Sequence, residues 1–288
     1  MHNYLLALIL GIVEGLTEFL PVSSTAHLRI CQSLFGIPLD DGYWKMFAIV
    51  IQLGAILTLP IYFRDRIAKF FATFPQGERG ERTALTHPVT LTMIAFVCTA
   101  APAFLLTKVI GKHLESLEIM GLSLVVGGIV MWAVDVFYVR RLLAHRTDHV
   151  EEMSLGQAVW IGLCQTLSAV FPGTSRSMAT IAAGQVVGMS RPSALEFSFF
   201  LSIPTMAVAT LYDLVKSLRP HHGEPSAIGQ LTMNAPDWIT LGIGFVVSFV
   251  VAYAVVAWFM NWVRSRGFAI FAAYRIVLGV AVLWWALR

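Results

Sequence analysis

Apolar residues along this chain run in long blocks rather than alternating with polar ones. Six blocks are long enough to cross a bilayer as helices, which takes about 20 residues. They cover roughly 44–63, 89–107, 117–139, 193–216, 238–262 and 268–287. Two further blocks, 4–36 and 155–188, are each interrupted near the middle by a polar, helix-breaking cluster: Pro21-Val22-Ser23-Ser24-Thr25 and Pro172-Gly173-Thr174-Ser175-Arg176-Ser177. Proline lacks a backbone N–H and its ring clashes with the preceding turn, so each cluster ends one helix and begins another. The piece after the first break, 24–36, has 13 residues. At 1.5 Å per residue that is about 20 Å, too short for about 30 Å of hydrocarbon. Both blocks are therefore expected to be re-entrant hairpins with their tips at membrane depth.

The pattern repeats. GIVEGLTEFLP, from Gly11 to Pro21, matches GLCQTLSAVFP, from Gly162 to Pro172, at an offset of 151, and the same offset aligns Gly128 with Gly279. Each half then holds one hairpin and three crossings. An odd number of crossings inverts the second half in the membrane, the plan in which broken helices meet at the midplane and form a site. The expected fold is an all-α polytopic membrane protein, one integral-membrane domain over 1–288, with repeats over about 1–145 and about 152–288.

Composition agrees. The chain of 288 residues is 57% hydrophobic and 13% charged, against about 25% charged for a soluble domain, so it cannot cover a water-facing surface. A soluble enzyme, a disordered tail and a fibrous protein are excluded. The net charge of +3, from 20 Lys and Arg against 17 Asp and Glu, reports topology, because basic residues gather in cytoplasmic loops. No basic patch interleaved with aromatics is present, so nucleic acid is not an expected partner. One side carries Arg64, Arg66, Lys69, Arg79, Arg82, Arg140, Arg141, Arg146, Arg191, Arg264 and Arg266. The other carries Arg29, Lys45, Lys108, Lys112, Lys216, Arg219 and Arg288. The first set is larger and is expected to be cytoplasmic, which leaves both termini outside. The N-terminal stretch does not read as a signal peptide, since it has no basic n-region and Glu14 interrupts the apolar run. Cys31, Cys98 and Cys164 have neither metal-ligand nor disulfide spacing and read as small core residues. Segment 63–74 is either a surface helix on the inner face or an extension of the span before it. Trp132, Tyr138, Trp284 and Trp285 fit an interfacial aromatic belt.

Charges at membrane depth are costly and so mark function. Glu14 and Glu18, at i and i+4, put two carboxylates on one helix face about 5–6 Å apart at Cβ. Two close carboxylates in low dielectric cannot both stay ionised without a cation. Either a divalent metal that also takes phosphate oxygens resolves this, or one acid is protonated and hydrogen-bonded to backbone. Ser23, Ser24, Thr25 and His27 follow at the start of a short helix, whose unpaired N–H groups suit an anion. The hydroxyls are either caps or include a nucleophile with the imidazole as proton carrier. In the second cluster Gly173 allows close backbone approach, Thr174, Ser175 and Ser177 supply hydroxyls, and Arg176 offers a planar donor fork for phosphate oxygens or a salt bridge to Glu14 or Glu18. Acids, hydroxyls, histidine and arginine at membrane depth suit a diphosphate carried on a lipid. Elsewhere, Asp135 is expected to pair with Arg140 or face the interface, and Arg275 to snorkel or answer a buried acid such as Glu196.

ExxxE followed by FLPVSSTAH, together with PGTSRSMAT, resembles the signature motifs of the bacterial undecaprenyl-diphosphate phosphatase (bacitracin-resistance) family, with Ile51-Gln52-Leu53-Gly54 and Glu196-Phe197-Ser198-Phe199 as supporting stretches. The resemblance runs nearly end to end. It implies hydrolysis of undecaprenyl diphosphate to the monophosphate and inorganic phosphate in the bacterial inner membrane, which recycles the carrier for cell-wall polymers. It also implies dependence on a divalent cation (Mg²⁺ or Ca²⁺) and admits a homodimer. Carried over by motif, Glu14 and Glu18 become metal or base carboxylates, Ser24 the candidate nucleophile, His27 the proton-transfer residue and Arg176 the phosphate clamp. Ser23, Thr25, Gly173, Thr174, Ser175 and Ser177 become phosphate-binding residues. Ala26 and Met178 depart from the family's SSTGH and PGxSRSGxT, which bears on substrate fit rather than reaction type. Without the resemblance, a transporter or flippase for the lipid carrier or a small anion fits the inverted-repeat plan almost as well.

Overall fold

The computed structural model describes residues 2–38, 41–76, 83–106, 116–139, 147–218 and 233–288. Arg79, Arg82, Lys108, Lys112, Arg140, Arg141, Arg146 and Arg219, all used above for topology, lie outside the described residues.

Eleven α-helices are described: α1 (His2–Thr17), α2 (Ser24–Leu34), α3 (Gly42–Tyr62), α4 (Arg64–Thr73), α5 (Pro88–Leu105), α6 (Leu117–Val139), α7 (Leu155–Val170), α8 (Arg176–Val186), α9 (Arg191–Leu218), α10 (Ala235–Ser265) and α11 (Ala269–Ala286). A short 3₁₀ turn, Val150–Glu152, precedes α7, and no strand occurs among the described residues. Six helices (α3, α5, α6, α9, α10 and α11) are long and apolar enough to cross a membrane, and each lies within three residues of its expected bounds at either end. The chain is a multi-pass membrane protein. Segment 63–74 resolves into a separate helix, α4, set off from α3 at Phe63.

Helix ends follow local chemistry. The Asp41 carboxylate accepts from the Trp44 N–H at the start of α3. Ser154 with Gln157 and Asn234 with Asp237 form reciprocal capping boxes on α7 and α10, which satisfy backbone N–H groups that would otherwise lack partners. Both polar clusters break helices as expected. α1 and α7 have 16 residues each, and α2 and α8 have 11 each, about 16 Å for the shorter pair.

Glycines that match between the halves do matching work. A Cβ on Gly11 of α1 would stand 2.9 Å from the Gly244 carbonyl oxygen of α10, and one on Gly162 of α7 would stand 2.9 Å from the Ala95 Cα of α5. Gly128 and Gly279 face α11 and α6 in the same way, 2.9 Å from the Ala272 oxygen and 2.8 Å from the Gly121 oxygen. Without a hydrophobic drive between helices in lipid, such small residues are what let backbones pack closely. The N-terminal helix of each half therefore packs on a spanning helix of the other half, α1 on α10 and α7 on α5, while α6 and α11 pack on each other.

Ion pairs gather where α4, α6, α9 and the 3₁₀ turn meet. Arg66 donates to both Glu151 oxygens and, at 2.9 Å, to Glu196. Asp135 pairs with Arg191 at 2.6 Å, not with Arg140, which lies outside the described residues. Arg191 also sits 4.7 Å above the Tyr138 ring. Burial alone would raise the Glu151 carboxyl, but hydrogen bonding to Arg66 and the charge of that guanidinium hold it below the ordinary value of 4.5. A depressed carboxylate contributes its stability above the unfolded-state pKa and loses it as pH falls through the folded one. Thermal unfolding in detergent is therefore expected to show a loss of stability between about pH 5 and 3, and Glu151→Gln to flatten that part of the curve.

Candidate active site

α1 ends at Thr17, yet the Glu18 N–H still donates to the Glu14 oxygen at 2.9 Å. The two acids therefore keep their helical relation up to the break. Both are buried, at 1% and 6% exposure. Past the break the chain reaches α2 through Ser23 at φ 75°, and at the matching place before α8 through Ser175 at φ 68°. These are the only non-glycine residues with positive φ among the described residues, and each stores strain of about 1–3 kcal/mol, as functional turns do. Ser23 precedes α2 and Ser175 precedes α8, so the repeat offset is 152 at this point rather than 151. The extra residue is accounted for by Gly173, whose φ of +93° an L side chain rarely adopts and whose Cβ would press on the Met120 backbone.

Glu18 stands where the two tips meet. Its Oε2 accepts from Ser24 Oγ at 2.5 Å, and its Oε1 lies 3.5 Å from Arg176 Nη2. The Glu18 backbone oxygen accepts from Ser177 Oγ at 3.2 Å. Arg176 is set by α9: Nη1 donates to the Ser198 carbonyl at 3.3 Å and to the Ser202 hydroxyl. Ser198 Oγ lies 2.6 Å from Thr180 Oγ1, one turn along α8 from Arg176. Arg176 Nε is buried without a partner, as are both carboxylate oxygens of Glu14. Orphaned charged atoms facing a site are groups awaiting a ligand or a proton.

The other expected residues divide. His27 faces Tyr274, and its ring nitrogens meet the Ser23 carbonyl and the Tyr274 hydroxyl. Ser23 is buried and its side chain does not cap α2; Ser175 does cap α8, accepting from the Met178 N–H. Thr25 is exposed. Thr174 lies at an apolar groove of about 440 Å³ between α6, α7 and α8, lined by Val126, Trp160, Leu167, Phe171 and Met178 among others. Met178 thus points away from Arg176, into space left by Gly127, where a Cβ would come within 2.8 Å of its Cε. Ala26, at the matching place on α2 by the 152 offset, is buried against Met120, Leu124 and Val282. Neither departure from the family's motifs lies on the Glu18–Arg176 line.

Arg275 is the largest correction. It neither snorkels nor answers Glu196, which belongs to Arg66. It is fully buried, and its guanidinium donates to three backbone carbonyls: Pro21 at 3.2 Å, Ser123 at 3.2 Å and Gly173 at 3.0 Å. Pro21 and Gly173 belong to the two breaks, so one side chain from α11 ties both tips to α6. Ser198, Ser202, Tyr274 and Arg275 complete the site, and no motif marked them as such. A charge inside an apolar span was the available signal for Arg275. Among the described residues no group of three or more His, Cys, Asp or Glu could hold a metal. A bound cation would therefore rest on Glu14 and Glu18 plus oxygens from substrate or water, which suits a hard divalent ion.

A family described as "Bacitracin resistance protein BacA" matches residues 7–281. A protein of Koribacter versatilis named "Undecaprenyl-diphosphatase" is 69% identical over 288 residues, the whole of both chains. Proteins of the same name from Caldanaerobacter subterraneus subsp. tengcongensis and Persephonella marina are 38% and 40% identical, covering 98% and 96% of this chain and 96% of each relative.

Proposed function

The chain belongs to the bacitracin resistance protein BacA family, and from that premise we propose that it removes the terminal phosphate of undecaprenyl diphosphate, leaving the monophosphate and inorganic phosphate. Recycling of the lipid carrier by this reaction gives bacitracin resistance its chemical basis.

The observation that carries the reading is the line Ser24–Glu18–Arg176. Ser24 Oγ already directs its proton at Glu18, 2.5 Å away, so Glu18 takes that proton as the oxygen attacks the terminal phosphorus. The new bond is Oγ–P. The bond that breaks joins the terminal phosphorus to the bridging oxygen, which leaves with the polyprenyl monophosphate. Arg176 grips the terminal phosphoryl oxygens as charge shifts onto the leaving group, helped by free N–H groups at the starts of α2 and α8. His27 handles the proton in the second half, when water releases phosphate from Ser24. Glu14 and Glu18 would hold a divalent cation, which when bound neutralises diphosphate oxygens. Ser23, Thr25, Gly173, Thr174, Ser175 and Ser177 are the proposed phosphate-side residues; Ser177 is nearest the line, hydrogen-bonded to Glu18 and Arg176.

The same reading takes the two halves as inverted repeats and the α1–α2 and α7–α8 pairs as re-entrant hairpins. It places the protein in the bacterial inner membrane with both termini outside, and it admits pairing of two copies through apolar helix faces. The equal hairpin lengths, the reciprocal glycine contacts and the charge bias support it. In the test, purified protein in detergent receives Mg²⁺ and undecaprenyl diphosphate. Phosphate release that stops with EDTA is expected. Movement of the lipid in sealed vesicles without phosphate release would favour transport instead.

A further inference from the structure

The His27 imidazole is engaged at both nitrogens. Nδ1 lies 2.7 Å from the Ser23 carbonyl oxygen, which can only accept, so Nδ1 carries a hydrogen. Nε2 lies 2.6 Å from the Tyr274 hydroxyl. In a neutral imidazole Nε2 then bears the lone pair, and the phenol is the donor. The rings stack with centroids 5.6 Å apart and planes at 10°. Tyr274 precedes Arg275, whose three carbonyl contacts fix this turn of α11 against both breaks. At 45% exposure, Tyr274 presents a face away from the histidine.

We propose that Tyr274 is a positioning residue for the reaction: it fixes His27 in the Nδ1–H tautomer and is the hydroxyl through which Nε2 gains and loses its proton. This rests on the reading that His27 moves a proton during turnover. In the gaining step a proton from water binds the phenolic oxygen while the phenol's own hydrogen passes to Nε2. One O–H bond breaks, one O–H and one N–H bond form, and the phenol is neutral before and after. The imidazole becomes the cation, with both N–H groups donating, to Ser23 and to Tyr274. The charged and titratable groups around the pair are Arg275 on α11 and Cys31 on α2. Glu18 is engaged with Ser24 and Arg176, and α6 contributes the apolar Met120 and Leu124 beside α2.

Tyr274→Phe keeps the ring and its stacking and removes only the hydroxyl. Phosphate release from undecaprenyl diphosphate is measured in the parent, Tyr274→Phe, His27→Asn and the double variant. The expected result is a fall in kcat of about tenfold or more for Tyr274→Phe with little change in KM, and no further fall when it is added to His27→Asn. An equal fall in both backgrounds, or none in the parent, overturns the proposal. Histidine ¹⁵N spectra read the contact without turnover, with the His27 signals assigned by their loss in His27→Asn. Tyr274→Phe is expected to move the His27 Nε2 resonance and to change its pH titration, and an unmoved resonance overturns the proposal. Should His27→Asn alone leave the rate unchanged, the reading of His27 as a proton carrier fails, while the spectra still decide whether Tyr274 governs that nitrogen.

Discussion

Glu18→Gln is expected to lower kcat at least about a hundredfold while the protein still folds. The amide is close in size and can still accept from Ser24 Oγ, so the tip geometry persists. What disappears is the charge that receives the Ser24 proton and that faces Arg176 at 3.5 Å. Glutamine at 14 instead removes a carboxylate whose oxygens have no hydrogen-bond partner, so its effect is expected to fall mainly on cation dependence. Rates measured against Mg²⁺ concentration separate the two: Glu18→Gln stays slow at saturating cation, and Glu14→Gln recovers part of its loss.

Arg275→Met has the second large effect. Methionine fills much of the volume, but the Pro21, Ser123 and Gly173 carbonyls lose their buried donor, at about 1–3 kcal/mol for each one left unsatisfied. Removing a buried cation relieves its desolvation, which offsets part of this. The net stability change is therefore smaller than the change in activity. Once the tips are no longer held to one side chain, a displacement of about 1 Å between Glu18 and Arg176 costs about a hundredfold. The expected order of kcat/KM is arginine, then Arg275→Lys, which can reach some of the carbonyls, then Arg275→Met. A methionine variant as active as the parent would remove Arg275 from the account.

Much of this site is legible along the chain because proline and polar clusters punctuate apolar helices in a way nothing else does. Pro21 and Pro172 mark both breaks, and the Glu14–Glu18 spacing marks the buried acids. What the chain order hides is pairing across the halves. Arg275 lies 254 residues from Pro21 and 102 from Gly173, and no periodicity links a cation to carbonyls that every residue possesses. Ser198 and Ser202 sit one turn apart on α9, and they look like ordinary helix hydroxyls until Arg176 is seen against them. His27 meets Tyr274 247 residues away, and the tyrosine reads in sequence as one more interfacial aromatic. The offset that aligns Gly11 with Gly162 slips by one at the tips, so a rigid alignment pairs Ser24 with Ser175, whereas the helices pair Ser24 with Arg176.

A double-mutant cycle on Glu18 and Arg176, read as kcat/KM for phosphate release, tests most directly whether one phosphoryl group is held between the two hairpin tips. Glu18→Gln and Arg176→Ala are expected to be strongly non-additive, the pair together losing little more than the worse single variant, because each alone disables the same step. Losses that simply multiply would mean that the two residues act at separate places.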